Sequence, residues 1–138
     1  MSEQMLRIEA DRTTLGAATL LVGWRTISRD YFRKDPPTPL DLENAIAAIE
    51  DEIERTHRTV DRGLGVVTTE ETIRDIALAS GLAAGPEVVL PLDAIERTYT
   101  RMTERAGLPG NPRFAATVLL LRELMHHLQI ERVVIRAD

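Results

Sequence analysis

The sequence contains no cysteine, which excludes disulfide bonds, thiolate metal ligands and a cysteine nucleophile. Lysine is almost missing as well, because Lys34 is the only lysine among the 17 basic residues and the others are arginines. The planar guanidinium of arginine is well suited to pairing with carboxylates. A chain without cysteine fits a reducing compartment, and we expect a cytoplasmic protein of bacterial type.

Long apolar runs are also missing. The run LGAATLLVGW at 15–24 is too short to span a bilayer. Glu3, Glu9 and Asp11 precede it, where a secretion signal requires positive charge, so we interpret the run as half of a buried helix. The net charge of −5 argues against binding to phosphate backbones. From these features we expect that the protein binds neither a membrane nor a nucleic acid.

Start and stop signals divide the chain into helices. Thr38 and Asp41 form a capping box, with Pro39 at the first helical position. Asn111 is placed to cap the last helix in the same way. A second capping box is predicted at 68–71. The five predicted helices cover residues 13–33, 38–60, 68–80, 92–106 and 111–128.

Two short β-branched runs remain outside these helices. Residues 87–90 suit either a short strand or the lead-in to a helix, and residues 133–135 favour a strand that could pair with 5–10. The sequence therefore predicts a mainly α fold. We expect one helical domain, residues 1–138, with about five helices in an orthogonal or bundle-like array and at most a two-stranded ribbon formed by the termini.

Two histidines each follow a glutamate by three residues, in the pairs Glu54–His57 and Glu123–His126. This spacing resembles the Glu-x-x-His pairs of ferritin-like di-iron proteins, and the resemblance implies an Fe, Mn or Zn site formed by these four residues. At about 100° per residue, however, Glu123 and His126 fall nearly opposite the apolar stripe centred on Leu121. The alternative is that these side chains are solvated or salt-bridged and that no cofactor binds.

Arg25, Arg29 and Arg33 form a row at four-residue spacing on the first predicted helix. Like charges at this spacing are mildly destabilising, so a negative group should lie nearby. One interpretation is a phosphate or carboxylate ligand held by the forked guanidiniums. The alternative is the acidic face of the second predicted helix.

The stretch TIRDIALASG at 72–81 looks like the first helix and turn of a bacterial helix-turn-helix. The chain then continues through Pro86 into a hydrophobic run rather than into a basic recognition helix. The resemblance implies a regulator, which we keep as a second alternative for function.

The last predicted helix carries a second apolar face at Ala115, Ala116 and Leu119. A helix that is apolar on two sides must be covered on both, so it is either central in the fold or part of a subunit interface. The sequence thus favours a non-enzymatic binding or assembly module that forms a homodimer and has a possible further protein partner. The main alternative is a metal-dependent enzyme or sensor.

Overall fold

The computed structural model describes residues 3–104, 108 and 110–137. Strands and helices are mixed along the chain. The strands are β1 (Glu3–Ile8), β2 (Thr13–Leu15), β3 (Ala18–Leu20), β4 (Gly65–Thr68), β5 (Glu87–Pro91) and β6 (Arg132–Arg136). The helices are α1 (Trp24–Tyr31), α2 (Pro39–Thr56), α3 (Glu71–Ala79), α4 (Leu92–Thr103) and α5 (Pro112–His127), and a short 3-10 helix, His57–Thr59, follows α2.

The strands form one mixed sheet in the order β3-β2-β1-β4-β6-β5. The three central strands β1, β4 and β6 are parallel, and the flanking pairs are antiparallel. The registers bring buried side chains together on one face of the sheet, so the helices cover that face. The matched buried positions include Leu6 with Leu15, Gln4 with Val66, Val66 with Val133, and Leu90 with Val133.

The predicted mainly α fold is wrong, because six strands distributed along the chain form one mixed sheet. Most of the misjudged sequence lies at 13–23, which was predicted to be the first half of a helix and forms the β2–β3 hairpin instead. Gly16 has φ +56 in the two-residue turn, a conformation that favours glycine. Leu15 and Ala18 lie on the covered face, and their three-residue spacing also satisfies a helical pattern.

The two short β-branched runs are strands. The 87–90 run lies in β5 and the 133–135 run lies in β6. The predicted ribbon is wrong, because β6 pairs with β4 and β5 and is separated from β1 by β4. Among the described residues, no helix has both the length and the apolar character needed to cross a membrane.

Helix α5 is the centre of the helical layer. It contacts each of the other four helices, and every residue from Phe114 to Leu121 is buried. Ala115, Ala116 and Leu119, at 8%, 0% and 0% exposure, are therefore covered by the chain's own helices. The second apolar face is therefore packed within the chain, which is one of the two possibilities that the sequence left open. The homodimer stays a prediction, and the burial of these three residues does not support it.

Two of the predicted helix starts are confirmed in atomic detail. The Thr38 hydroxyl accepts a hydrogen bond from the Asp41 backbone N–H at 3.1 Å, and the Asp41 carboxylate accepts one from the Thr38 N–H at 3.0 Å. The Asn111 side chain accepts a hydrogen bond from Phe114 N–H at 2.8 Å. The capping box predicted at 68–71 is wrong: α3 begins at Glu71, and Glu70 makes no capping bond.

Candidate functional site

The parallel strands β1, β4 and β6 end at the same edge of the sheet. Glu9 follows β1 directly, and Thr69 and Glu70 follow β4 immediately before α3 begins. In open α/β sheets, ligands bind outside the carboxyl ends of the strands. This carboxyl edge is therefore the first place where a functional site is expected.

The turn between β4 and α3 is fixed by Thr68. Its buried hydroxyl donates a hydrogen bond to the Leu6 carbonyl at 2.8 Å and accepts one from the Glu70 N–H at 3.2 Å. This bridge ties the turn to β1, so the Glu70 backbone has a defined position. The side chain of Glu70 is not used as a helix cap, which leaves its carboxylate available to a ligand.

The carboxyl group of Glu70 is half-buried, and this burial raises its pKa. The positive charges of Arg113 and Arg7 act in the opposite direction, while the negative charge of Glu9 raises the pKa further. A partly desolvated carboxylate whose pKa is influenced by two nearby guanidinium charges is typical of functional sites. It can accept a proton from water while the arginines bind an anion.

The first turn of α1 packs against the turn that follows β1. Trp24 N–H donates to the Glu9 carbonyl at 3.1 Å, and Arg25 N–H donates to the Ala10 carbonyl at 2.8 Å. The guanidinium of Arg113, at the start of α5, lies 4.7 Å from the centre of the Trp24 ring. This cation–π contact places the start of α5 beside the start of α1 at the carboxyl edge.

The three arginines of the predicted row have different neighbours in the structure. Arg25 forms an ion pair with Asp11, and Arg29 forms one with Asp30 at 2.8 Å. Arg33 lies beyond the end of α1 and lines a cleft of about 490 Å³. The negative partners of Arg25 and Arg29 thus come from the β1–β2 turn and from α1 itself, so the anion site at these residues stays a prediction.

The two Glu-x-x-His pairs lie in different surroundings. Glu54 and His126 are exposed, and His57 is half-buried with its Nδ1 atom 2.8 Å from the main-chain oxygen of Glu54. Glu123 is only 3% exposed, although the angular argument placed it on a solvated side. It is buried because other helices surround α5. The resemblance to ferritin-like proteins does not extend to the fold, since these helices cover a sheet.

Glu123 contacts neighbours other than His126. Arg122 donates to its Oε2 atom at 2.8 Å, and His127 Nε2 lies 3.2 Å from its Oε1 atom. Burial raises the pKa of Glu123, and the charges of Arg122 and His127 oppose that rise. Of the four predicted metal ligands, only Glu123 belongs to a described group with metal-binding geometry, which it forms with Glu50 and His127. The four-residue metal set stays a prediction.

The helix-turn-helix interpretation of 72–81 is wrong. The stretch lies in α3 and the turn after it, and the next element is strand β5, which pairs with β6 in the sheet. A second helix docked at an angle is required for this motif. The apolar spacing of α3 instead reflects its packing against α5, α4 and β5.

Glu9, Glu70 and Arg113 were not predicted from the sequence as members of one site. A usable signal was present: an acidic residue directly follows an apolar alternating stretch at 4–8 and another follows the 65–68 run. These acidic residues indicate a site only when the two stretches are known to be neighbouring parallel strands, because ligands bind at the carboxyl ends of such strands. Because 68–71 was assigned to a capping box, Glu70 was attributed to a helix end.

Replacing Glu70 with glutamine should raise the melting temperature at neutral pH. The folded pKa of Glu70 lies above the unfolded value near 4.5, so its contribution to stability is present below that value and is lost as pH rises through the folded pKa. Glutamine removes the cost of ionising a half-buried group. Thermal unfolding at neutral pH and near pH 4.5 should show that the gain shrinks in acid.

Glu71→Gln provides the matched control for this measurement. Glu71 is the next residue, is exposed, and loses the same charge on substitution. We expect its melting temperature to change little. A lower melting temperature for Glu70→Gln at neutral pH would mean that attraction to Arg7 and Arg113 outweighs the cost of burial.

Comparisons with known proteins agree with the α/β architecture. No protein-family model matches the chain, and no curated protein matches it in sequence. Solved structures do match. A PPX-GPPA enzyme of Aquifex aeolicus has a TM-score of 0.77 at 12% identity, over 98% of this chain and 53% of its own.

Two further structures give similar values. An exopolyphosphatase-like protein has a TM-score of 0.79 at 12% identity, covering 99% of this chain and 55% of its own. An exopolyphosphatase from Cytophaga hutchinsonii has a TM-score of 0.73 at 12% identity, and the match covers 98% of this chain and 53% of its own. The chain thus has the α/β fold of one part of these proteins and spans about half their length. The prediction of a non-enzymatic helical assembly module is wrong, because the chain has the α/β fold of these solved structures and is not a helical bundle.

Proposed function

We propose that this chain is a phosphohydrolase-type domain that binds a phosphate anhydride at the carboxyl edge of its sheet. The observation that carries the proposal is the half-buried carboxyl of Glu70, at the end of β4, with the charges of Arg7 and Arg113 acting on it. The fold it shares with structures described as exopolyphosphatases supports the same substrate class, since polyphosphate is a chain of phosphate anhydrides.

The chemistry assigned to Glu70 is general base catalysis. Its carboxylate accepts a proton from water while the water oxygen forms a bond to a terminal phosphorus. The bond from that phosphorus to the bridging oxygen breaks, and the electron pair leaves with the shortened phosphate chain. A raised pKa brings a carboxylate closer to the pH at which a base is effective.

The anionic oxygens need positive partners. Arg113 and Arg7 supply guanidiniums that can bind phosphate oxygens in pairs. Helix α3 begins at the same place with no side-chain cap, and uncapped backbone N–H groups at a helix start attract anions. Because Glu9 and Glu70 repel a free polyanion, we expect the ligand to bind as its magnesium complex. A cytoplasmic location, as expected from the sequence, is part of the proposal.

Binding of magnesium tripolyphosphate tests the proposal directly. Trp24 is the only tryptophan in the chain and lies under Arg113, so its fluorescence reports on the carboxyl edge alone. We expect a saturable change in Trp24 emission in the wild type and at least about tenfold weaker binding in Arg113→Gln, as one charge-assisted contact is lost. Calorimetry of the same titration gives an independent dissociation constant.

Arg132→Gln serves as the control, because Arg132 is exposed and lies at the start of β6, on the opposite edge of the sheet. It removes the same charge and should bind like the wild type. Where phosphate release is measurable, Glu70→Gln should abolish it while retaining binding. Equal binding by the wild type and Arg113→Gln, or no saturable binding, would contradict the proposal.

A further inference from the structure

Three side chains meet at the end of α5 that is remote from the carboxyl edge. Glu123 and His127 lie one turn apart on α5, and Glu50 comes from α2. His127 Nε2 is 3.2 Å from Glu123 Oε1 and 3.0 Å from Glu50 Oε2. At about 1.5 Å per residue, His127 lies roughly 21 Å along the helix from Arg113, so this group is separate from the proposed phosphate site.

We propose that Glu50, Glu123 and His127 bind a divalent transition-metal cation of the Zn²⁺ type. One ligand atom from each residue lies within 4.8 Å of the others. An imidazole nitrogen with carboxylate oxygens is a donor set that such cations accept. The site differs from the four residues suggested by the Glu-x-x-His spacing, because His127 replaces His126 and Glu50 replaces the Glu54–His57 pair.

Two of the three separations between ligand atoms are close to those around a tetrahedral ion. Ligand atoms at about 2.1 Å from a tetrahedral zinc lie roughly 3.4 Å apart. The two separations at His127, 3.2 and 3.0 Å, are shorter by only a few tenths of an ångström. The side chains of Glu50 and His127 are 46% and 37% exposed, so they can make that adjustment without repacking the core.

The buried member of the group is already oriented. The side chain of Glu123 is 4% exposed, and a carboxylate at this depth needs positive charge beside it. Arg122 holds the Oε2 atom at 2.8 Å, which directs the Oε1 atom toward His127. Arg122 is held in turn by Glu96 at 3.2 Å and lies 4.1 Å from the Tyr99 ring centre. Such supporting contacts around a ligand are typical of metal sites.

Solvent can reach the group and complete the coordination. A cleft of about 370 Å³ lies beside it, lined in part by Glu50, His57, Arg62 and His127. Water from this cleft can occupy the fourth position of a tetrahedral ion. A bound ion would link α2 to α5 on the side of the helical layer away from the carboxyl edge, which gives it a structural role.

Zinc binding by chelator-treated protein tests the proposal. Calorimetry with ZnCl₂ should show one ion per chain, and Co²⁺ should give the visible absorption of a four-coordinate site. We expect His127→Ala to abolish binding and Glu50→Gln to weaken it more than about tenfold. Both residues are accessible, so neither substitution changes the buried side chain of Glu123. Circular dichroism of each variant should show that it is folded.

His126→Ala is the matched control, because His126 is the neighbouring exposed histidine on the same helix. It should bind zinc like the wild type, and zinc should raise the melting temperature of both but not of His127→Ala. The proposal is overturned if His127→Ala binds zinc as the wild type does, or if no saturable binding of one ion per chain is seen. Loss of binding in His126→Ala or His57→Ala, with His127→Ala unaffected, would assign the ion to the Glu-x-x-His set instead.

Discussion

Gly23→Ala should lower the free energy of unfolding by about 3 kcal/mol or more, because the new methyl group has no room. A Cβ atom at Gly23 would lie 2.1 Å from the Glu9 carbonyl oxygen and 2.5 Å from the carbonyl carbon and oxygen of Ala10. These are backbone atoms, so no side-chain rotation relieves the contact. The same two carbonyls accept the first hydrogen bonds of α1, and any shift that makes room also breaks them.

Urea unfolding at neutral pH measures this effect, and Gly85→Ala is the control. At Gly85 the nearest atom to a new Cβ is the Glu87 carbonyl oxygen at 3.8 Å. That substitution should be neutral or slightly stabilising, because alanine lowers the entropy of the unfolded chain. Similar stability of the two variants would show that the close packing of α1 on the β1–β2 turn is not required. Since Glu9 and Trp24 flank this contact, Gly23→Ala should also disturb the carboxyl edge.

Leu119→Ala should lower the free energy of unfolding by about 2–5 kcal/mol, the range found for leucines in packed cores. Leu119 is fully buried on α5, which contacts all four other helices. The loss should be the same at low and high protein concentration, because the cavity forms within one chain. Denaturant unfolding at two widely separated concentrations provides the measurement.

Leu40→Ala is the matched control, because Leu40 is 63% exposed and the same atoms are removed. Its effect should stay within about 0.5 kcal/mol, as at most surface positions. If Leu119 instead formed part of a subunit interface, its substitution would reduce a dimer to monomers and the loss in stability would depend on concentration. That result would contradict the central position of α5.

The features that the sequence predicted correctly are local ones. The capping box of Thr38 and Asp41 and the cap at Asn111 involve residues within one helical turn, so their geometry depends on few other contacts. Helix α2 was predicted to span 38–60. Its predicted start is confirmed, but the α-helix ends at Thr56 and a short 3-10 helix, His57–Thr59, follows it. The predicted start of α5, with Asn111 as the cap, is also confirmed.

The strands were missed because their evidence is non-local. Apolar residues in 13–22 satisfy both a helix and a short hairpin, and pairing with β1 decides between them. The burial of Glu123 was not predicted for a related reason, because a spacing of 100° per residue separates a buried from a solvated side only where one side of the helix faces solvent. From Phe114 to Leu121 every residue of α5 is buried, so this part of the helix has no solvent-facing side. The burial of Glu123 likewise depends on elements far away in the chain.

The sequence alone determined that no cysteine chemistry operates in this protein, and it located the starts of α2 and α5. Only the tertiary structure decided that Glu9 and Glu70 lie at the ends of neighbouring parallel strands, and that Glu50 meets Glu123 and His127. The physical reason is that caps form between residues close in the chain. A sheet edge, and a contact between two helices, exist only after segments distant in sequence have been brought together.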